Sequence, residues 1–174
     1  MTDSDGGRLL GSLRRLDGEQ EGRGVVRVED LYDTGVDDLW SAVTEPSRLA
    51  RWIADVDGDL RVGGEFRARF TSTWAGVGRV DACEPPRRLL VTTWADGEDE
   101  TVIEAVLEPR GDRTLLVIEE RGLALRELAA HGAGWQAHIE DLAALLAGRA
   151  PSDWERRWEE LSPSYERLAA AQLA

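Results

Sequence analysis

At 174 residues with a formal net charge of -13, the chain is long enough for one domain that buries about 70% of its unfolded surface. It is also acidic enough to disfavour nucleic-acid phosphates and anionic lipid heads as partners. Its 21 basic residues are all arginine, which excludes a Schiff-base lysine, a pyridoxal phosphate anchor and a phosphate-loop lysine. Cys83 is the sole cysteine, which rules out an intrachain disulfide and a thiolate metal cluster. With no apolar run of about 18 residues and no leader-like start, a cytoplasmic protein without a membrane segment is expected.

In chain order, residues 1–8 are polar and glycine-rich and are expected to be a flexible terminus. Residues 9–17 can form a strand, followed by a long polar turn over 18–24. In residues 25–33, Val26 and Val28 alternate with Arg27 and Glu29, as in a half-buried strand that ends at Thr34-Gly35. Residues 36–54 read as two short helices with apolar patches at Leu39, Trp40 and Val43 and at Leu49, Trp52 and Ile53. Thr34 is the expected N-cap of the first, and Pro46 suits the first turn of the second. After the turn at Gly63-Gly64 the period becomes two, with Phe66, Ala68 and Phe70 on one face and Arg67 and Arg69 on the other. Strands follow at 77–83, 89–94, 102–107 and 115–119, joined by turns short enough to make them antiparallel neighbours.

Residues 125–147 are the organising element. Leu128, Gly132, Trp135, Ile139, Leu142 and Leu146 form one stripe of an amphipathic helix, opposite Arg126, Ala130, Ala137, Glu140 and Asp141. Beyond Gly148, two short helices are expected at 153–161 and 163–173, with Ser152 and Ser162 as N-caps and Trp154 and Trp158 on one face. This extension, 150–174, is expected to dock on the domain at 9–149; a lid or a dimer contact is the alternative.

Several stretches carry a family resemblance together: Leu39 to Pro46 with Trp52, Leu60 to Phe66, Gly78-Arg79-Val80 followed by Glu84 to Leu89, Leu107-Glu108-Pro109, and Gly134-Trp135. In their order and spacing over 25–148 the chain resembles the SRPBCC superfamily, the START-like or helix-grip fold. Within it, the chain is similar to the branch of the C-terminal domain of the activator of heat-shock-protein-90 ATPase. The resemblance implies an α+β fold in which a curved antiparallel sheet of six or seven strands wraps round the C-terminal helix. It also implies a cavity between the two that often holds an apolar ligand. Bacterial members of that branch mostly lack an assigned reaction. Gly35 replaces a proline common before the first helix, and Glu120-Arg121 replaces a frequent histidine before the final Gly-Leu.

Alternation singles out one acidic residue. If Leu116 and Ile118 face inward so does Glu120, whereas Glu104 and Glu119 face out. His131 and His138, the only histidines, stand seven apart and so about 10.5 Å along a helix axis, too far to share a metal. Each is expected to be a hydrogen-bonded boundary residue, with His131 the one that could reach a cavity mouth. Small residues around Gly132 suggest space beneath the helix, walled by Trp52, Phe66, Phe70, Trp74, Trp94, Ile118 and Trp135 and rimmed by Glu120 and Arg121.

Binding of a small apolar or aromatic molecule, by a monomer or homodimer without cofactor or metal, is the expected function. A cyclase or dehydratase using Glu120 or His131 is the alternative. Chaperone activation comes last, because the activator pairs this domain with another and this chain has no room for one.

Overall fold

The computed structural model describes residues 8–174. Eight strands form a single open antiparallel sheet: β1 (Gly11–Arg15), β2 (Arg23–Tyr32), β3 (Ala54–Gly58), β4 (Glu65–Phe70), β5 (Ala75–Glu84), β6 (Arg88–Trp94), β7 (Thr101–Arg110) and β8 (Arg113–Ala124). Their order is β1-β2-β8-β7-β6-β5-β4-β3. From β3 to β8 the sheet is a meander, as short turns dictate. The crossing from β2 to the far edge is made by α1 (Val36–Thr44) and α2 (Pro46–Leu49). Two long helices follow the sheet, α3 (Leu128–Leu146) and α4 (Trp154–Gln172).

This is the expected α+β helix-grip architecture, with eight strands in place of six or seven. The extra strand is β3, a stretch that the sequence pattern leaves unassigned beyond Ala54. Ala54 and Val56 alternate with Asp55 and Asp57 there, but only Ala54 is buried, so the apolar signal of this edge strand is slight. Thr34 does not cap α1: Gly35 holds that position, and the Thr34 hydroxyl donates to Asp38 instead. Pro46 does occupy the first turn of α2.

The inner face of the sheet presents Val26, Val28, Ala105, Leu107, Leu116 and Ile118, and α3 lays Leu128, Trp135, Ile139 and Leu142 against it. The opposite side of α3 is not a solvated face. Ala137 and Asp141 are buried there: α4 packs on Ala137, and Ser152 of the segment that leads into α4 meets Asp141. α4 is one helix where two were expected. Pro163 lies inside it rather than starting a new one, and its N-cap is Asp153, which accepts from the Arg156 amide at 3.2 Å.

A 19-residue helix of mostly polar composition is marginal alone, so its order comes from the face it buries. Leu161 and Tyr165 supply that face against Ala133 and Ala137. Polar contacts fix the register. The Tyr165 hydroxyl donates to Gln136 Oε1 at 2.7 Å, Arg157 pairs with Glu140 at 2.7 Å, and the Ser152 amide donates to Asp141 at 2.7 Å.

Gln136, fully buried, uses all its hydrogen-bonding capacity. Its Oε1 also accepts from the Leu10 amide at 3.0 Å, and its Nε2 donates to the Arg8 carbonyl at 3.1 Å and to Glu140 at 3.0 Å. Arg8, at the end of the segment expected to be flexible, is therefore tied to α3, while residues 1–7 of that segment lie outside the described residues.

The small residues of α3 make room for aromatic rings of α4. A Cβ on Gly132 would stand 2.5 Å from Tyr165 Cδ1, and one on Gly11 of β1 would stand 2.5 Å from the Tyr165 hydroxyl oxygen. Two glycines on different elements thus form the slot that admits one tyrosine. Gly132→Ala should therefore destabilise the fold by about 1 to 3 kcal/mol through overpacking. At an unobstructed helical site the same change would stabilise by about 0.4 to 1 kcal/mol. Urea melts of the two proteins measure the sign, and a gain in stability would mean that Tyr165 does not fill the slot.

Candidate functional site

Three faces of α3 divide its work. One meets the sheet, one meets α4, and the third, carrying His131, Gly134, Trp135 and His138 at helical spacing, borders a cleft of about 840 Å³. The end of β4 supplies Phe70, and the turn that follows it supplies Trp74. β6 and β7 supply Thr93, Trp94, Thr101 and Ile103, β8 supplies Glu120, and the first turns of α4 supply Trp154 and Trp158.

Glu120 is the polar centre of this cleft. Its side chain is 8% exposed. Oε2 accepts from Trp135 Nε1 at 2.7 Å and pairs with His131 Nδ1 at 3.0 Å, while Oε1 accepts from the Thr101 hydroxyl at 3.0 Å. Thr93 extends the chain, its hydroxyl 3.1 Å from that of Thr101. Burial pushes the Glu120 carboxyl up, but the hydrogen bond and charge of His131, with the Trp135 and Thr101 donors, outweigh it and hold the group below its ordinary range. Burial likewise lowers His131, yet the bond and charge of Glu120, with Glu127 and Glu98 adding to them, raise it on balance.

His138 has the opposite character. It is 4% exposed, 5.2 Å from the Trp154 ring and edge-on to Phe70 and Trp135 at 5.8 and 6.0 Å, with Nδ1 3.4 Å from the Thr71 hydroxyl. Burial drives its pKa down to about 3, against a backbone bond at Trp52 and the charge of Glu120. It is a neutral wall of the cleft and not a boundary residue. Trp154 stacks on Trp158 at 6.2 Å, which in turn donates from Nε1 to the Ala130 carbonyl at 2.9 Å.

Of the sequence candidates, the structure brings together Phe70, Trp74, Trp94, Glu120, His131 and Trp135. Four others lie elsewhere. Trp52, just after α2, is buried in the main core, with Nε1 donating to the Ala42 carbonyl of α1 at 2.9 Å. Phe66 covers Gly78 in a separate cluster with Ala68 and Val80. Ile118 is spent in the core under α3, and Gly132 is spent on Tyr165.

Arg121 does not rim the cleft; it pairs on the outer face with Glu104 at 3.2 Å and Glu119 at 3.1 Å. Thr101 was missed, although the alternation that turns Ala105 and Ile103 inward also turns Thr101 inward. Trp154 and Trp158 were left without a place, which only the return path of α4 assigns. Among the described residues no three His, Cys, Asp or Glu side chains converge as a metal site, and no helix is long and apolar enough to cross a membrane.

The burial of His138 has a measurable consequence. The folded protein keeps it neutral while the unfolded chain protonates it near 6.5, so its share of stability is complete above pH 6.5 and is lost as pH falls towards 3. Between pH 7 and 5 the natural protein should lose about 2 kcal/mol more stability than the His138→Phe variant. Denaturant melts of both at the two pH values test this, and equal losses would mean that His138 reaches water.

The model of a family described as Activator of Hsp90 ATPase homolog 1-like protein matches residues 33–147. Among solved structures, CalU16 from Micromonospora echinospora is similar at 29% identity and a TM-score of 0.77, over 92% of this chain and 97% of its own. DynU16, a protein of the dynemicin biosynthetic locus, matches at 29% identity and a TM-score of 0.67, over 74% of this chain and 50% of its own. A protein from Bordetella parapertussis matches at 26% identity and a TM-score of 0.70, over 95% of this chain and 94% of its own. No functionally curated protein matches the chain.

Proposed function

The chain belongs to the Activator of Hsp90 ATPase homolog 1-like family, and on that premise we propose that it binds a small aromatic or otherwise apolar molecule in the cleft beside α3. The observation that carries this reading is the pairing of aromatic walls with a single hydrogen-bonded polar centre in about 840 Å³, within the range of small-molecule sites. Phe70, Trp74, Trp94 and Trp154 offer flat apolar surface at little cost in side-chain entropy, and Glu120, Thr101 and His131 offer orientation.

A second observation supports a ligand that carries an acceptor. Trp154 Nε1 is buried without a partner among the described residues, a cost of about 1 to 3 kcal/mol that an acceptor brought to that wall would offset. The similarity to a protein of a biosynthetic locus agrees with a small organic molecule as cargo.

The neutral aromatic probe N-phenyl-1-naphthylamine should bind saturably with enhanced fluorescence, and Trp74→Ala should weaken it about tenfold through the loss of one stacking wall. Trp74 is only half-buried, so the variant keeps the fold. Absence of saturable binding, or binding indifferent to both Trp74→Ala and Phe70→Ala, would remove the cleft as the site.

A further inference from the structure

His131 and Glu120 are arranged in a way that binding alone does not call for. An ionised carboxylate can only accept, so the 3.0 Å contact at His131 Nδ1 places a proton on that nitrogen whether the ring is neutral or charged. The tautomer is thereby set, and in the neutral ring Nε2 carries the lone pair. Nε2 has no protein partner among the described residues and is not among the buried unsatisfied atoms, so it is reachable from the cleft that His131 borders. The His131 side chain is 39% exposed, whereas that of Glu120 behind it is 8% exposed. Trp135 and Thr101 take the remaining directions of the Glu120 carboxylate and hold it still. A reachable imidazole, backed by a buried carboxylate that is itself fixed by two donors, is the base-and-orienter arrangement that proton transfer requires.

We propose that His131, positioned by Glu120, transfers a proton to and from an aromatic or conjugated carbonyl compound held in the cleft. This rests on the binding reading above and adds a reaction to it. In the forward step the Nε2 lone pair takes a proton from a carbon next to the carbonyl. The C–H bond breaks and its electron pair moves into the carbonyl as an enolate. The imidazolium that forms lies against the Glu120 carboxylate, which balances its charge without taking the proton. The proton then returns to a carbon of the conjugated system, or to an oxygen leaving from the β position. The outcome is an isomerisation or an elimination in which no external oxidant or reductant takes part. His131 is the catalytic base and acid; Glu120 is a positioning residue.

The test uses 5-nitrobenzisoxazole, a flat apolar molecule that opens to a coloured cyanophenolate when a base removes its ring C–H proton and the N–O bond breaks. The folded protein should open it saturably and faster than free imidazole at the same concentration, and His131→Gln should lower kcat at least tenfold. The rate should rise with pH as His131 loses its proton. The midpoint should coincide with that of the His131 imidazole resonance in an NMR titration of the unaltered protein, a comparison that needs no variant to fold. Glu120→Gln should move both midpoints down together, because the carboxylate charge that favours the imidazolium is gone.

A rate no greater than free imidazole, a rate unaffected by His131→Gln, or kinetic and NMR midpoints that disagree would overturn the dyad. If 5-nitrobenzisoxazole still displaces N-phenyl-1-naphthylamine in that case, binding stands and only the chemistry falls. If neither compound binds, both readings fall.

Discussion

The structure depends on one constraint, that α3 must satisfy three neighbours with nineteen residues. Leucine, isoleucine and tryptophan face the sheet, glycine and alanine face α4, and histidine and tryptophan face the cleft. Each assignment follows from the distance at which the neighbour packs. The sheet stands far enough away to take large side chains, whereas α4 brings Tyr165 so close to Gly132 that a Cβ there would stand 2.5 Å from its ring, and brings Trp154 within 3.2 Å of a Cβ on Gly134. The two interior glycines cost about 1 kcal/mol each in helix propensity. Burial of a fully enclosed tyrosine and its hydrogen bond to Gln136 offsets that cost.

Two buried polar side chains, Gln136 on α3 and Glu120 beside it, show how full satisfaction fixes geometry. Gln136 joins the start of the described chain, α3 and α4 through four partners, so each of those elements has a defined position relative to the others. Glu120 does the same on the cleft side, tying β8 to β7 and α3 through Thr101, Trp135 and His131. A carboxylate left unpaired in that environment would be expelled or neutralised. With three donors it stays ionised, and the direction of its own shift and that of His131 have a common origin in the contact between them.

The outer face of the sheet is charged in a different manner. Glu104 and Glu119 stand directly opposite each other on β7 and β8, and Arg121 pairs with both, while Arg88 pairs with Glu104 and Arg27 with Glu29 and Glu119. Such half-exposed pairs add little stability individually, but they keep one face of the sheet wet and confine the apolar contacts to the side that holds α3. The cleft lies on that inner side, where the β4–β5 turn and the start of α4 approach the helix.

Sequence by itself determined the elements that have a strong period. The strand alternation of β4 to β8, the stripe of α3 and the inward direction of Glu120 all follow from side-chain geometry that each segment carries locally. It also determined the aromatic supply of the cleft in part, since Phe70, Trp94 and Trp135 lie on those same periodic elements. What only the tertiary structure decided is which of two neighbours a small residue serves. Gly132 has the same composition signal whether it leaves a void or admits a ring, and the answer lies in Tyr165, thirty-three positions further along the chain. The removal of Trp52, Phe66 and Ile118 from the site, and the entry of His138, Trp154 and Trp158, have the same origin. A side chain's period gives the face on which it lies, but the partner on that face is set by long-range packing that no local window contains.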